Sequence, residues 1–350
     1  MKTILLNSAL VLFAVGLSLS VAEITLRIDG RYYYLASQEL VPSPAIWEPP
    51  ANRTELSSHP DLNVPIEIRF DADGVRNHSP TSTGEQRNIV GFFGDSYTEN
   101  RRIEDRFSFT SILDVATRPG ARIVNYGVDG YGLDQSYLRY KKYESHDIRH
   151  VVYVICQNDL QDLYETGLTE LTKDGDITFN AARNNPFRHL IGRFHLTYLI
   201  LSGYYDLVRH VRMMQVEDTD AITSDFLSVT PSENASQLAR KFLLLLNKWK
   251  REVEAANRTF TVLVLPRKID TDVASKLLRD FDGNIVQSIG YFGNCSNCTF
   301  RNDPHWNEYG NLKMAGLISS SLAFPFHGIF KPIDFAGLKL QIDEYYQTRK

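Results

Sequence analysis

The chain has 350 residues, of which 43% are hydrophobic and 23% are charged, enough to bury the core of one large or two small domains. Its formal net charge is −4, and this lack of excess Lys and Arg argues against a nucleic-acid-binding surface. No internal repeat or low-complexity tract is present in the sequence.

The sequence begins with an uncharged apolar segment. Residues 3–22 are rich in Leu, Val and Ala, and Lys2 and Glu23 are the charges on either side. This pattern is typical of a secretory signal peptide or a single membrane anchor, and a buried core helix is the alternative. Ser20-Val21-Ala22 fits the small-x-small pattern of a cleavage site. We interpret residues 1–23 as a signal peptide or anchor, favour the anchor, and expect the rest of the chain outside the cytoplasm, in the cell envelope.

Residues 24–86 are rich in proline and have few periodic apolar runs; six prolines lie between positions 42 and 65. Because proline lacks a backbone N–H and disfavours helices and central strands, we predict a mostly extended lead-in here. Residues 331–350, after the last predicted element, are interpreted as a C-terminal tail.

Cys295 and Cys298 lie three positions apart in a segment whose Gly and Asn content predicts a loop. In an exported protein, such a pair can close as a disulfide. Two cysteines without a second pair make a poor zinc site, and a thioredoxin-like redox pair would need the start of a helix after a strand. We therefore predict a disulfide that staples this loop.

From residue 87 onward, apolar runs of strand length alternate with segments of helical spacing. The predicted strands are residues 89–93, 121–126, 151–156 and 259–265. The predicted helices are residues 107–116, 133–143, 237–256 and 307–322. This alternation predicts a right-handed, mostly parallel α/β sheet in a domain spanning 87–330. Residues 160–231 break the rhythm, with one predicted helix around 196–213, and are interpreted as an insertion.

The first predicted strand ends at Gly94, and Asp95 and Ser96 follow it directly. A strand that places a serine on a tight turn before a helix can present a nucleophile, although a helix cap at Asp95 or Ser96 explains the same residues. Polar residues also follow the second strand, at 127–132, and the third, at Asn158. The carboxyl ends of parallel strands share one edge of a sheet, so these groups are expected to lie near one another.

Asp303 and His305 flank Pro304 just before the last predicted helix. The short, stiff tether lets the Asp303 carboxylate accept a hydrogen bond from one imidazole nitrogen, which leaves the other nitrogen available as a base. A lone D-x-H pattern also suits a pair of metal ligands or a loop cap.

Four segments in this order resemble the sequence blocks of the SGNH (GDSL-like) hydrolase superfamily. They are Gly94-Asp95-Ser96, the loop from Asn125 to Gly130, Cys156-Gln157-Asn158-Asp159, and the pair Asp303 and His305. Order and spacing match from about Arg87 to Leu322. The resemblance implies a three-layer α/β/α fold with a mostly parallel, flavodoxin-like central sheet.

The resemblance also implies a role for each site residue. Ser96 would be the nucleophile, His305 its general base, and Asp303 the acid that orients His305. The backbone N–H groups of Ser96 and Gly130 and the side-chain amide of Asn158 would form the oxyanion hole. This chemistry calls for no cofactor and no metal.

Two positions depart from the family pattern. Cys156 stands where the third block has Gly, which puts the local backbone in question but not Asn158. The last block is D-x-H, shorter than the commoner D-x-x-H and similar to the form in alginate-type polysaccharide O-acetyltransferases and membrane-anchored bacterial SGNH proteins. The α/β-hydrolase elbow G-x-S-x-G is excluded, because Thr98 occupies the position of its second glycine.

The sequence therefore predicts an exported, membrane-tethered serine esterase. Its predicted substrate is an acyl ester, and more specifically an O-acetyl ester, of a cell-surface glycan or a small molecule. An O-acyltransferase with the same triad is the closest alternative, since only the acceptor of the acyl group differs. A non-catalytic glycan-binding relative and a metal-dependent phosphoesterase using Asp95, Asp303 and His305 are further alternatives. The expected partners are this substrate and, through an uncleaved N-terminal segment, a membrane; a cleaved form would be secreted or periplasmic.

Overall fold

The computed structural model describes residues 2–29, 41–43, 45–76, 88–156, 158–172, 175–180, 196, 200, 232–265, 278–292 and 295–349. The chain divides into two compact units. The first comprises Met1–Leu40 and Asn185–Thr219, and the second comprises Val41–Asn184 and Asp220–Lys350.

The first unit contains helix α1, Lys2–Asp29. Its stretch Leu10–Ile28 is long and apolar enough to cross a membrane, and none of that stretch is buried in the protein. A secretion signal near an N-terminus has a similar length and composition. The helix continues past residue 23 into the segment predicted to be extended, where an ion pair between Arg27 and Glu23, one turn apart, supports it.

Among the other described residues of the predicted lead-in, four short strands pair as two antiparallel hairpins at the start of the second unit. Their strands are β1 (Val41–Ser43), β2 (Ile46–Glu48), β3 (Arg53–Ser58) and β4 (Pro65–Phe70). In β3 the buried side chains are Glu55 and Ser57, whereas Leu56 is exposed. Polar side chains therefore point inward and an apolar side chain points outward, the reverse of the usual strand pattern. For this reason the sequence lacks the alternation of apolar and polar residues by which a half-buried strand is normally recognised.

The elements of the second unit then follow one another in an alternating order. The first are β5 (Ile89–Phe93), α2 (Ser96–Glu99), α3 (Phe109–Ala116), β6 (Arg122–Asn125), α4 (Leu133–Tyr143) and β7 (Ile148–Ile155). Next come α5 (Asp159–Thr166), β8 (Thr169–Leu171), β9 (Ile177–Phe179) and α6 (Ser232–Ala255). The last are β10 (Thr259–Val264), β11 (Asn284–Gln287), α7 (Ile289–Phe292), α8 (Glu308–Ser320) and α9 (Phe335–Thr348).

Five parallel strands form the central sheet in the order β11-β10-β7-β5-β6. This is the flavodoxin-like order, so the predicted parallel α/β fold is confirmed. The chain passes from β5 outward to β6 and then returns to β7 on the other side of β5. The topological switch point, where sites form in such sheets, therefore lies at the carboxyl ends of β5 and β7.

Helices cover both faces of the sheet. Along β5, Val90 and Phe92 enter the core cluster that contains residues of α3, α8 and α9. Ile89 and Phe93 enter the cluster that contains residues of α4, α5 and α6. Burial on both faces explains why these strands are continuously apolar in sequence.

The four strands and four helices predicted within residues 89–156 and 237–322 are present, most of them with shifted ends. The prediction lacked several shorter elements, the edge strand β11 and the C-terminal helix α9. Strand β11 lies at the edge of the sheet and contains only two apolar residues. Helix α9 lies in the segment predicted to be a tail, where Ile342 and Tyr345 are buried in the core. Asp334 caps α9 by accepting the Gly337 N–H at 2.9 Å.

The predicted insertion, residues 160–231, is only partly described. Its first helix, α5, belongs to the core because Leu160 and Leu163 are buried there. The helix predicted around 196–213 lies outside the described residues, except for Leu196 and Ile200, which are helical.

Candidate active site

Ser96 lies at the carboxyl end of β5, at the switch point of the sheet. The strand leads into Gly94, whose φ is +154°, and a Cβ at this position would lie 2.5 Å from Thr98 Oγ1. Asp95 caps α2, and its carboxylate accepts the Tyr97 N–H at 2.9 Å. Ser96 therefore occupies the first position of α2, with 8% of its surface exposed.

A continuous chain of hydrogen bonds joins Ser96, His305 and Asp303. Ser96 Oγ lies 2.7 Å from His305 Nε2, and His305 Nδ1 lies 2.5 Å from Asp303 Oδ1. An ionised carboxylate only accepts hydrogen bonds, so Nδ1 donates to Asp303 and Nε2 accepts from the Ser96 hydroxyl. Asp303 Oδ1 also accepts the His305 backbone N–H at 2.8 Å, so the D-x-H tether fixes the ring.

The two oxygens of Asp303 have different partners. His305 occupies Oδ1, and Arg102 Nε donates to Oδ2 at 2.9 Å. Burial by itself would raise the pKa of Asp303, but the hydrogen bond from His305 and the positive charge of Arg102 outweigh burial and hold that pKa well below its usual range. Asp303 is therefore ionised throughout the neutral pH range.

His305 lies in a small stapled hairpin, in which Thr299 and Trp306 form an isolated antiparallel bridge. Cys295 and Cys298 form a disulfide, which confirms the predicted loop staple. Asn307 donates its backbone N–H to Cys298 O at 3.1 Å, and Phe300 donates its own to His305 O at 3.2 Å. The disulfide thus closes a short loop directly before the residues that are hydrogen-bonded to the segment carrying the candidate base.

The loop that carries Gly130 is fixed to the elements that carry Ser96. Val128 donates its backbone N–H to Gly94 O at 3.0 Å, and Asp129 donates its own to Glu99 Oε2 at 2.5 Å. Gly130 has φ +76°, a left-handed conformation that favours glycine. The loop that the sequence predicted to contribute an oxyanion donor therefore lies beside the strand end that leads to Ser96.

Asn158 follows β7, on the other side of the switch point. Its Nδ2 donates to Asp162 Oδ2 at 2.6 Å. A side-chain amide has two N–H donors, so Asp162 orients the amide without using both of them.

Cys156, which departs from the family pattern, is buried in the core at the end of β7. Its backbone N–H donates to Asp159 Oδ2 at 2.7 Å, and its thiol hydrogen-bonds Asp95. The thiol that replaces glycine thus contacts an acid of the first sequence block, while the backbone of Cys156 contacts an acid of the third block.

Three buried carboxyl groups surround the candidate triad. Burial raises the pKa of Asp95, of Glu99 and of Asp159, and the negative charge of Asp95 raises the pKa of Asp159 further. Within the described part of the chain, no group of three or more His, Cys, Asp and Glu is arranged to hold a metal ion.

Sequence reasoning did not identify Arg102 or Asp129 as neighbours of the site. Arg102 lies within 3.6 Å of Asp129 Oδ2 as well as bonding Asp303. The sequence contains only weak signals for these two residues. They are a pair of arginines shortly after the first block and an acid directly before Gly130.

Comparison with known proteins identifies the family of the chain. The model of the GDSL-like lipase/acylhydrolase family matches residues 90–318. Among solved structures, the chain is similar to a protein of the G-D-S-L family from Desulfitobacterium hafniense, at 9% identity and a TM-score of 0.37, over 66% of this chain and 96% of that one. It is also similar to an alpha/beta hydrolase enzyme from the metagenome of Lake Arreo, Spain, at 13% identity and a TM-score of 0.37, over 70% of this chain and 97% of that one.

A third similar structure is a member of the lipolytic protein G-D-S-L family from Veillonella parvula, at 12% identity and a TM-score of 0.37, over 67% of this chain and 97% of that one. No curated protein matches the chain. The family model spans well over half of the chain, which confirms the resemblance inferred from the four sequence blocks. The chain belongs to the GDSL-like lipase/acylhydrolase family of ester-hydrolysing enzymes.

Proposed function

We propose that this protein is a serine esterase in which Ser96, His305 and Asp303 form the catalytic triad. The observation that carries the proposal is the hydrogen-bond chain from Ser96 Oγ through His305 to Asp303, with steps of 2.7 and 2.5 Å. A serine hydroxyl is a weak nucleophile until a base removes its proton, and His305 Nε2 is within direct reach of that proton.

In the first half of the reaction, Ser96 Oγ attacks the ester carbonyl carbon while its proton passes to His305 Nε2. The ionised Asp303 stabilises the imidazolium that forms. The carbonyl oxygen becomes negative, and we assign its stabilisation to the N–H groups of Ser96 and Gly130 and to the Asn158 amide. The bond between the acyl carbon and the alcohol oxygen then breaks, and the departing alkoxide takes the proton from His305.

In the second half, water replaces the alcohol. His305 accepts a proton from water, the hydroxide attacks the acyl-Ser96 carbonyl, and the same donors hold the oxyanion. Collapse releases the carboxylic acid and returns the proton to Ser96 Oγ.

We infer that the substrate is an O-acyl ester, and more specifically an O-acetyl ester, on a cell-surface glycan. The catalytic body would then lie outside the cytoplasm. Two observations support this location: the apolar stretch Leu10–Ile28, and the disulfide between Cys295 and Cys298, a bond that persists in oxidising compartments. Protease added to cells whose outer envelope has been opened, with the cytoplasmic membrane intact, should then digest the catalytic body. Protection until the cytoplasmic membrane is lysed contradicts the location.

A fluorophosphonate probe tests the nucleophile. Wild-type protein and Ser319→Ala, a control on α8, should be labelled, whereas Ser96→Ala should not. Hydrolysis of p-nitrophenyl acetate should follow the same pattern and should survive a chelator. Equal labelling of Ser96→Ala, or activity that a chelator removes, contradicts the proposal.

Acceptor and acyl preference need a separate experiment. Acetylated oligosaccharides and p-nitrophenyl esters of increasing acyl length are supplied with and without a free oligosaccharide acceptor. Acetate release that the acceptor does not change supports hydrolysis of acetyl esters. An acetylated oligosaccharide product identifies the transferase alternative, and a preference for long acyl chains contradicts the acetyl assignment.

A further inference from the structure

Arg102 connects two parts of the candidate active site that are far apart in sequence. Its guanidinium donates from Nε to Asp303 Oδ2 at 2.9 Å, and its Nη1 lies 3.6 Å from Asp129 Oδ2. We propose that Arg102 is a positioning residue, which locks the triad acid Asp303 to the loop that carries Gly130. The inference rests on the proposed function and assigns no chemical step to Arg102 itself.

The bridge requires the shape of an arginine side chain. A guanidinium is planar and presents donors in several directions, so it can serve two carboxylates at once, whereas a lysine ammonium is a single point charge. The three side chains are largely shielded from solvent: Arg102 is 13% exposed, Asp129 21% and Asp303 22%. Partial burial strengthens such pairs compared with ion pairs on an open surface.

The second anchor of the loop lies on its backbone. Asp129 donates its N–H to Glu99 Oε2, while its side chain faces Arg102. The N–H of Gly130 belongs to the peptide plane that begins at Asp129, so fixing Asp129 at both its N–H and its carboxylate restricts that plane. Glu99 is itself held by Arg101 Nη1 at 3.2 Å. The direction of the proposed oxyanion donor is thus set by charged side chains of the segment that follows Ser96.

Arg102 also contributes to the electrostatic balance at the triad. His305 faces the carboxylate of Asp303 and interacts electrostatically with Asp95, while Arg102 faces Asp303 and Asp129. The positive charge of Arg102 lowers the pKa of Asp303 and so helps to keep this carboxylate ionised, as the acceptor of the His305 Nδ1 hydrogen bond.

The inference is testable with purified full-length protein and p-nitrophenyl acetate. Arg102→Met should lower kcat by up to about 10²-fold, the cost of misplacing catalytic groups by about 1 Å, with little change in KM. In Asp129→Asn, kcat should also fall with little change in KM. The double variant should lose no more than Arg102→Met alone, because both substitutions break the same bridge.

Arg102→Lys keeps the positive charge but loses the planar, forked guanidinium, so its kcat should remain low. Arg106→Gln, which removes an exposed arginine paired with Glu104, is the matched control and should change neither kcat nor KM. An unchanged kcat in Arg102→Met overturns the inference, as do losses in Arg102→Met and Asp129→Asn that multiply in the double variant. If wild-type protein lacks Ser96-dependent hydrolysis altogether, the proposed function fails instead.

Discussion

The ring of Tyr97 lies against the imidazole of His305, with centroids 4.6 Å apart and planes inclined by 31°. The Tyr97 hydroxyl donates to Pro304 O at 2.9 Å, within the D-x-H tether itself. The residue next to the proposed nucleophile thus supports the proposed base from two directions. This contact links the strand end at Ser96 to a segment about two hundred positions away.

Truncation of this ring should affect catalysis more than removal of its hydroxyl. Tyr97→Ala should lower kcat by about 10-fold to 10²-fold, because the imidazole loses the surface that holds it in line with Ser96. Tyr97→Phe keeps the ring and loses one hydrogen bond, worth about 1 kcal/mol, so its kcat should fall less than tenfold. Steady-state kinetics with p-nitrophenyl acetate measure both, and equal losses in the two variants would contradict a role for the ring.

Asn158→Ala tests the proposed oxyanion hole. The variant should lower kcat by about 10²–10³-fold with little change in KM, because the amide is needed mainly when the carbonyl oxygen becomes negative. Asp162→Asn, which alters the orienting partner but not the amide, is the comparison and should cost less. A rise in KM without loss of kcat in Asn158→Ala would assign the amide to substrate binding instead.

The disulfide should couple redox state to activity. Reduction with dithiothreitol should lower kcat and the free energy of unfolding, the latter by about 2 kcal/mol for so short a loop, because the hairpin that holds His305 loses its staple. The double variant Cys295→Ser/Cys298→Ser should show the same deficits without reductant and no further change with it. Full activity in the double variant would show that the hairpin stands without the bond.

Gly94→Ala should destabilise the protein by about 1–3 kcal/mol and reduce Ser96 labelling. A Cβ at this position would lie 2.5 Å from Thr98 Oγ1 and 2.8 Å from the Val154 carbonyl oxygen, so the turn into α2 would have to shift. Gly328→Ala is the control, since a Cβ there meets nothing within 4 Å. Thermal unfolding of the two variants compares them directly; equal melting temperatures would refute the steric argument.

Asp134 predicts a pH dependence of stability away from the site. Burial raises its pKa to about 6 from 3.8, despite hydrogen bonds from the Thr166 hydroxyl and the Gln135 N–H. Between pH 4 and 6, the folded state therefore binds more protons than the unfolded state, and stability falls as pH rises. Relative to Asp134→Asn, wild type should lose about 3 kcal/mol across this window in denaturant titrations. A flat difference between the two proteins would contradict the raised pKa.

The fold and the pairing of Asp303 with His305 could be anticipated because their sequence determinants are local. Apolar runs mark strands that are buried on both faces, and Asp303 and His305 lie within one short tether. The contact between Arg102 and Asp303 spans 201 positions and exists only after β5 and the stapled hairpin meet at one edge of the sheet. Strand β3 was not predicted for a different reason: its inward residues, Glu55 and Ser57, are polar, and the ion-pair partner of Glu55, Arg101, is distant in sequence.

Those inward residues bear on where a self-sufficient fragment of this protein begins. The family match starts at residue 90, yet Glu55 forms a buried ion pair with Arg101, and His59 lies 3.2 Å from the fully buried Glu308. A fragment cut at the family boundary would deprive Arg101 and Glu308 of these partners inside the protein, at a cost of several kcal/mol. A fragment that contains the catalytic body alone should therefore begin near Val41, so that it includes both N-terminal hairpins.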